Sequence, residues 1–468
     1  MFPVWAIARH MIAEGVRMRI ALVFLVLIGL VVLGLPFSIS GDNSVTGAVQ
    51  AFMSYACGAT GFLLGLLTIL LSKSLSDDLV NQQIFLVMAK PIARWQYVLG
   101  KWLGLTLLNA VFLGFSGLCI YGMVHYIKHT KAPLDPRFDE AELRNEVLIA
   151  RHATPCKLPN FAADAEFEYQ RNLEEGLYTD LPEFDPAKEI QRLAKKHEAR
   201  WRIVAPFDYR VFEFENILCD RSREKTVQLR YKTEVSQYPP DEIFRAVWRF
   251  GDAYKGTPEY MIPVRHVVGR FHTIRVPADA VAEDHSLLVR FINQNPYEGE
   301  PLYRNVMEFR ASDGVEVLFV VGSFEGNLLR LLILMMCKLI FLAAVAVLMV
   351  TFLSFPVACL TSFTVYVLAG ARSFLADALD MASDDTLTMF SSVKEFLVQS
   401  LILLYDAVHW VIPDFGKYDA VETFVNGRNV SLVWVLQGVS ELVLIKTLIV
   451  LLVGMLLFQR REVAEVSF

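Results

Sequence analysis

Long apolar runs alternate with polar stretches along this chain, and the runs set its architecture. Ile20 to Leu35, Val49 to Ser72, Trp102 to Val124, Leu331 to Leu353, Val357 to Ala371 and Val433 to Phe458 are almost wholly apolar. At about 1.5 Å rise per residue, such runs can cross a hydrocarbon core of roughly 30 Å. In lipid, each backbone polar group needs a partner within its own segment, so the spans are predicted to be helices. The fold class expected is an α-helical membrane protein of about six transmembrane helices, with a large polar insertion between the third and fourth.

Residues 3 to 18 place Val4, Trp5, Ile7, Ala8, Met11, Ile12 and Val16 among charges, the pattern of an amphipathic helix lying at an interface. Arg9, Arg17, Arg19 and the apolar run that follows also fit a secretory signal peptide. The expectation is that this run stays as the first span. In the second run, Gly61 and Gly65 form a GxxxG that lets helix backbones approach closely. Packing within the chain is preferred there over a dimer seam.

The polar middle reads as one domain of two parts. Residues 138 to 200 are rich in Glu, Lys, Arg, Ala and Leu, and Asp185 can cap a helix starting at Pro186. Residues 201 to 325 alternate instead, at Val211 to Phe214, Val227 to Tyr231, Leu287 to Phe291 and Val315 to Phe319, which predicts an antiparallel β-sandwich-like part. The division is therefore 1–127 for the amphipathic helix and spans one to three, 128–326 for the inserted α+β domain, and 327–468 for spans four to six. Trp201, Tyr209, Trp248 and Phe250 are candidate platforms for an extracytoplasmic ligand, with half of them expected to be core. His266 and His272 can share a strand face but have no third metal ligand nearby, so structural histidines are preferred. Cys156 and Cys219 are either a disulfide or two buried thiols.

Charge orients the chain. Lys and Arg cluster at 9–19, 73–101 and 460–461, whereas Arg372 to Val430 holds four basic residues against nine acidic. Excess basic residues mark the cytoplasmic side, which puts both termini there and the inserted domain outside. The apolar run Val393 to Ile412, within 372–430, is expected to be interfacial or re-entrant. The net charge of -6 offers no basic field for nucleic acid. Lys338, Glu441 and Lys446 lie inside spans, where charge is costly and calls for protein or water neighbours. A Lys338–Glu441 ion pair would relieve both; a proton relay is the alternative.

The loop between spans two and three is the informative stretch. Ser72 to Lys101 runs as a polar turn, a short amphipathic helix, a break at Lys90-Pro91 and a helix that enters the third span. Its Met88-Ala89-Lys90-Pro91-Ile92-Ala93-Arg94-Trp95-Gln96-Tyr97-Val98-Leu99-Gly100-Lys101 resembles the corresponding segment of type-2 ABC transporter permeases, the membrane subunits of bacterial exporters. Ser354 to Ala358, Ile412 to Asp419 and Leu457 to Glu462 resemble three further segments of that family, in the same order. The resemblance covers roughly 1–127 and 327–468 and does not extend to the insertion.

That resemblance implies a permease in the bacterial plasma membrane, powered by a separate ABC ATPase subunit and completed by a second copy or a related permease. It makes 73–101 the coupling loop. Asp77, Asp78, Gln82 and Gln83 are its candidate contacts to polar groups of the ATPase, and Arg94 its candidate contact to a carboxylate; Lys90, Pro91, Gly100 and Lys101 complete the motif. Lys90 and Arg94 serve equally well as anchors for anionic headgroups. The chain has no GxxxxGK[ST] phosphate loop, so ATP and magnesium are expected on the partner and no enzyme activity or cofactor here. The competing expectation is a membrane-anchored extracytoplasmic binding or scaffold protein that does not transport.

Overall fold

The computed structural model describes residues 2–38, 44–81, 92–130, 143–176, 185–219, 226–297, 305–311, 314–385 and 412–460. They form two compact units, one of 1–150 with 322–468 and one of 151–321.

The first unit is helical. Its elements are α1 (Phe2–Arg17), α2 (Arg19–Ser38), α3 (Val45–Leu71), α4 (Lys73–Val80), α5 (Arg94–Thr130), α8 (Phe324–Phe352), α9 (Phe355–Asp385), the short α10 (Val421–Val425) and α11 (Leu432–Arg460). Among the described residues, six stretches are long and apolar enough to cross a membrane, and they coincide with the six apolar runs of the sequence. The amphipathic α1 lies across α5, where glycines allow it. A Cβ at Gly100 would come within 2.7 Å of Ile7, and one at Gly104 within 2.7 Å of the Ala8 carbonyl. The Gly61/Gly65 pair is likewise used within the chain: the Tyr366 ring covers Gly65, leaving 2.7 Å for a Cβ, and the Tyr366 hydroxyl donates to the Gly61 carbonyl at 3.3 Å.

Two departures from regular helices shape the second half. In α11, residues Val439–Thr447 wind as a π-helix, with Thr447 Oγ1 bonded to the Leu442 carbonyl five residues back. The chain 412–431 packs among the spans. Phe415 N donates to the Ala369 carbonyl, Arg372 to the Ile412 carbonyl, and Asn327 exchanges bonds with Arg428 O and Val430 N. Residues 393–411, nearly all of the run expected to be interfacial or re-entrant, lie outside the described residues.

The second unit pairs α6 (Phe161–Glu174) with α7 (Pro186–Arg202) and adds two antiparallel sheets. Asp185 caps α7 by accepting from Ala187 N, as its place before proline predicts. One sheet runs β1 (Ile149–Pro155), β10 (Val315–Ser323), β4 (Thr226–Val235), β9 (Met307–Phe309), β2 (Ile203–Val204), with β7 (Phe271–Pro277) also on β4. The other runs β3 (Tyr209–Phe214), β8 (Leu287–Ile292), β5 (Ile243–Phe250), β6 (Tyr260–Val267). All four predicted strands are present. Alternate residues of both sheets, among them Phe212, Tyr231, Phe244, Trp248, Phe291 and Phe309, share one core. Trp248 sits at its centre, 4.8 Å from Tyr231 and 4.9 Å from Phe291 by ring centroids.

Of the four aromatic platforms expected, Trp248 and Phe250 are buried core and Trp201 packs edge-on against Phe161 and Phe212. Tyr209 is exposed beneath the Arg290 guanidinium. His266 and His272 do not share a strand: they lie on β6 and β7, in different sheets, and stack at 4.3 Å. Cys156 and Cys219 are free thiols, and burial pushes the Cys156 thiol up to about 11.

Candidate functional site: a buried charge cluster at Lys101

Three elements of the helical unit converge on Lys101. Although it stands in the second turn of α5, its side chain is only 2% exposed. Its ammonium lies 2.7 Å from Asp78 Oδ2, donates to Ser74 Oγ at 2.7 Å and reaches Glu14 Oε2 at 3.2 Å. Ser74 in turn donates to Glu14 Oε2 at 2.5 Å, and the Tyr97 hydroxyl donates to Asp78. One cation thus ties two carboxylates and two hydroxyls from α1, α4 and α5.

The local sequence explains the convergence. Ser74 and Asp78 are four residues apart on α4, so they share a face; Tyr97 and Lys101 repeat that spacing on α5. Gly100 and Gly104 bring α1 close enough for Glu14 to complete the set. An isolated buried charge is expensive, and removing one member of such a group leaves another uncompensated. The cluster therefore holds α4 rigidly to α1 and α5.

The last helix joins beside it. Arg94 Nη1 donates to the Gln459 carbonyl at 2.9 Å and to that of Phe458 at 3.5 Å, and the Tyr97 ring stacks on Phe458 at 6.2 Å. A cation at a helix C-terminus meets the unsatisfied carbonyls and the negative end of the dipole.

The expected coupling residues thus have distinct positions. Asp78, Gly100 and Lys101 are interior, so Asp78 and Lys101 hold the loop together, and the role of Asp78 as a surface contact is corrected by its burial against Tyr97 and Lys101. Arg94 caps α11. Asp77 is only partly buried and flanks the face of α4 that carries Ser74 and Asp78. Gln82, Gln83, Lys90 and Pro91 lie outside the described residues. The sequence reading missed Glu14 and Gly104; the Gly100-x-x-x-Gly104 spacing was the available signal for the second.

The intramembrane charges are also rearranged. Lys338 and Glu441 are not paired. Glu441 accepts from the Tyr418 hydroxyl at 2.5 Å and from Lys417 Nζ at 3.3 Å, so its partners come from the 412–431 segment. Lys338 faces Asp419 of that same segment at 3.9 Å. Lys446 lies in the π segment five residues after Glu441. No group of three or more His, Cys, Asp or Glu poised for a metal occurs among the described residues.

No curated protein and no solved structure matches the chain. A family model does match, described as ABC-2 family transporter protein, over residues 5–135. That range begins in α1 and passes through α5, and so contains every member of the Lys101 cluster. Residues 5–135 are thus similar to an ABC-2 transporter membrane domain, which supports an ABC-2 type permease.

Proposed function

We propose that the chain is the permease subunit of an ATP-driven exporter in a bacterial plasma membrane, with both termini cytoplasmic and the sandwich domain outside. A separate ABC ATPase supplies the energy and carries the ATP and magnesium; this chain is not itself an enzyme and holds no cofactor. A second copy or a related permease completes the pathway. The observation that carries this reading is the Lys101 cluster within the matched region. Because α4 is bonded through Asp78 and Ser74 to α1 and α5, a push on the loop after α4 moves a rigid block instead of bending a hinge. Arg94 passes the same movement to the end of α11. The block is the lever through which closing ATPase subunits switch the spans between inward and outward access.

Affinity purification of the full chain from its native membrane tests the reading. An ABC ATPase subunit is expected in stoichiometric amount, and its repeated absence under mild extraction overturns the proposal. A second reading, a membrane-anchored binding or scaffold protein, draws on the separate closed core of the sandwich unit. It requires that binding by that domain persist when the spans are immobilised.

A further inference from the structure

A cavity of about 150 Å³ opens within the helical unit, between α3, α8, α9 and the 412–431 segment. Its walls are mostly apolar, with Gly58, Phe62, Met335 and Tyr366 prominent, and two charged groups, Lys338 and Asp419, reach it. Lys338 stands roughly 21 Å along α8 from its first residue, at about 1.5 Å per residue, deep in the span. An ammonium has three donors to place. The Asp419 carboxylate, at 3.9 Å, is beyond hydrogen-bond distance. Asp419 Oδ1 also accepts from Val421 N at 3.3 Å within its own loop. The cation therefore meets a loosely held counter-ion in an otherwise apolar chamber, an arrangement suited to an incoming anion of better geometry. Phe62, half exposed at the rim, continues the apolar wall outward.

We infer that this cavity binds an anionic oxygen group, carboxylate or phosphate, carried on an apolar chain. Lys338 grips the head, Asp419 is the internal counter-ion that it displaces, and the chain leaves past Phe62. The volume admits a head with a few methylenes and leaves the remaining tail along the span. As the cargo site it rests on the permease reading; as a binding site it is measurable without any ATPase.

The probe is radiolabelled oleate, with oleyl alcohol as the uncharged control, on the full chain in phosphatidylcholine nanodiscs. Saturable binding of oleate and none of the alcohol is expected. Lys338→Gln should weaken oleate at least tenfold, whereas Asp419→Asn should bind at least as tightly as the wild type, because a competing carboxylate is gone. Gly58 lines the chamber and a Cβ there meets nothing within 4 Å, so Gly58→Leu adds bulk at its wall while keeping the charge pair, and it should abolish binding. Equal affinity in wild type and Lys338→Gln, or a loss in Asp419→Asn as large as in Lys338→Gln, overturns the assignment; if Lys338→Gln does not fold, undiminished binding by Gly58→Leu does so. Phosphatidylglycerol nanodiscs separate the two sources. Competition with oleate assigns a bilayer lipid, and unchanged oleate affinity assigns a single-chain carboxylate. Capture of the ATPase is scored on the same preparations: oleate binding without it removes the permease reading alone, and capture without oleate binding removes the site alone.

Discussion

Asp78 of α4 and Lys101 of α5 meet at 2.7 Å with the lysine side chain almost completely withdrawn from solvent. Such a pair contributes little net stability relative to an apolar substitute, yet breaking it is costly. Lys101→Met should therefore lower the stability of the purified chain by about 3–5 kcal/mol. Adding Asp78→Asn should recover part of that, since Glu14 alone then remains to be neutralised. Thermal unfolding of single and double variants, followed by size-exclusion chromatography, measures the recovery; simple addition of the two losses would deny the coupling.

Gly104→Leu should loosen α1 from α5. The nearest neighbours of a Cβ there are the Met11 side chain and the Ala8 carbonyl, at 2.6 and 2.7 Å, so the helices must separate. Overpacking of this kind costs about 1–3 kcal/mol. ATPase capture should fall, while fluorescence from the buried Trp248 of the sandwich unit stays unchanged.

The Glu441–Tyr418 bond and the absence of a Lys338–Glu441 pair give a sharper contrast. Tyr418→Phe and Glu441→Gln should be non-additive, with a coupling of about 0.5–3 kcal/mol. Lys338→Gln and Glu441→Gln should add within about 0.5 kcal/mol. Unfolding midpoints of both cycles decide the matter.

Acid should weaken the sandwich unit through its stacked histidines. Burial first, and the neighbouring His272 second, hold His266 down to about 4, while burial lowers His272 as well. Both are neutral in the fold near pH 7, and the unfolded chain takes up protons first, near the ordinary value of about 6.5. Their stabilisation is thus complete above about pH 6.5 and is lost as pH falls towards about 4. Trp248 fluorescence during thermal unfolding should report a midpoint that drops over that window. His266→Phe should flatten the drop, and an unchanged slope would exclude the pair as its source.

Runs of apolar residues are read directly as spans, because lipid forces every backbone group into a helix, and all six fall where the runs do. The strands at 211–214 and 287–291 were equally legible, since period-two alternation requires one buried face; those at 227–231 and 315–319 were legible too, although they bury residues on both faces. Ion-pair partners were not. Lys338 and Glu441 are paired by nothing local in sequence; the choice falls to the 412–431 segment, whose Lys417, Tyr418 and Asp419 intervene. Lys101 hid for a similar reason. Beside a span end it resembles a snorkelling lysine, and only the approach of α1 at Gly100 and Gly104 turns its position into an interior one. The histidines misled through spacing alone, because the turn at Gly269 moves the chain from one sheet to the other.

The π winding at Val439–Thr447 has a consequence for sequence length. A ladder bonded five residues back stores more chain per turn than one bonded four back, so this stretch holds a surplus residue relative to a plain α-helix. Removing one residue there lets the helix relax to α while Arg460 and the Gln459 carbonyl keep their phase at the far end. The same deletion in α8 has no slack to draw on, and would rotate half of that span away from its neighbours. The last span is the one whose length can drift by a residue without unseating the contacts at either end.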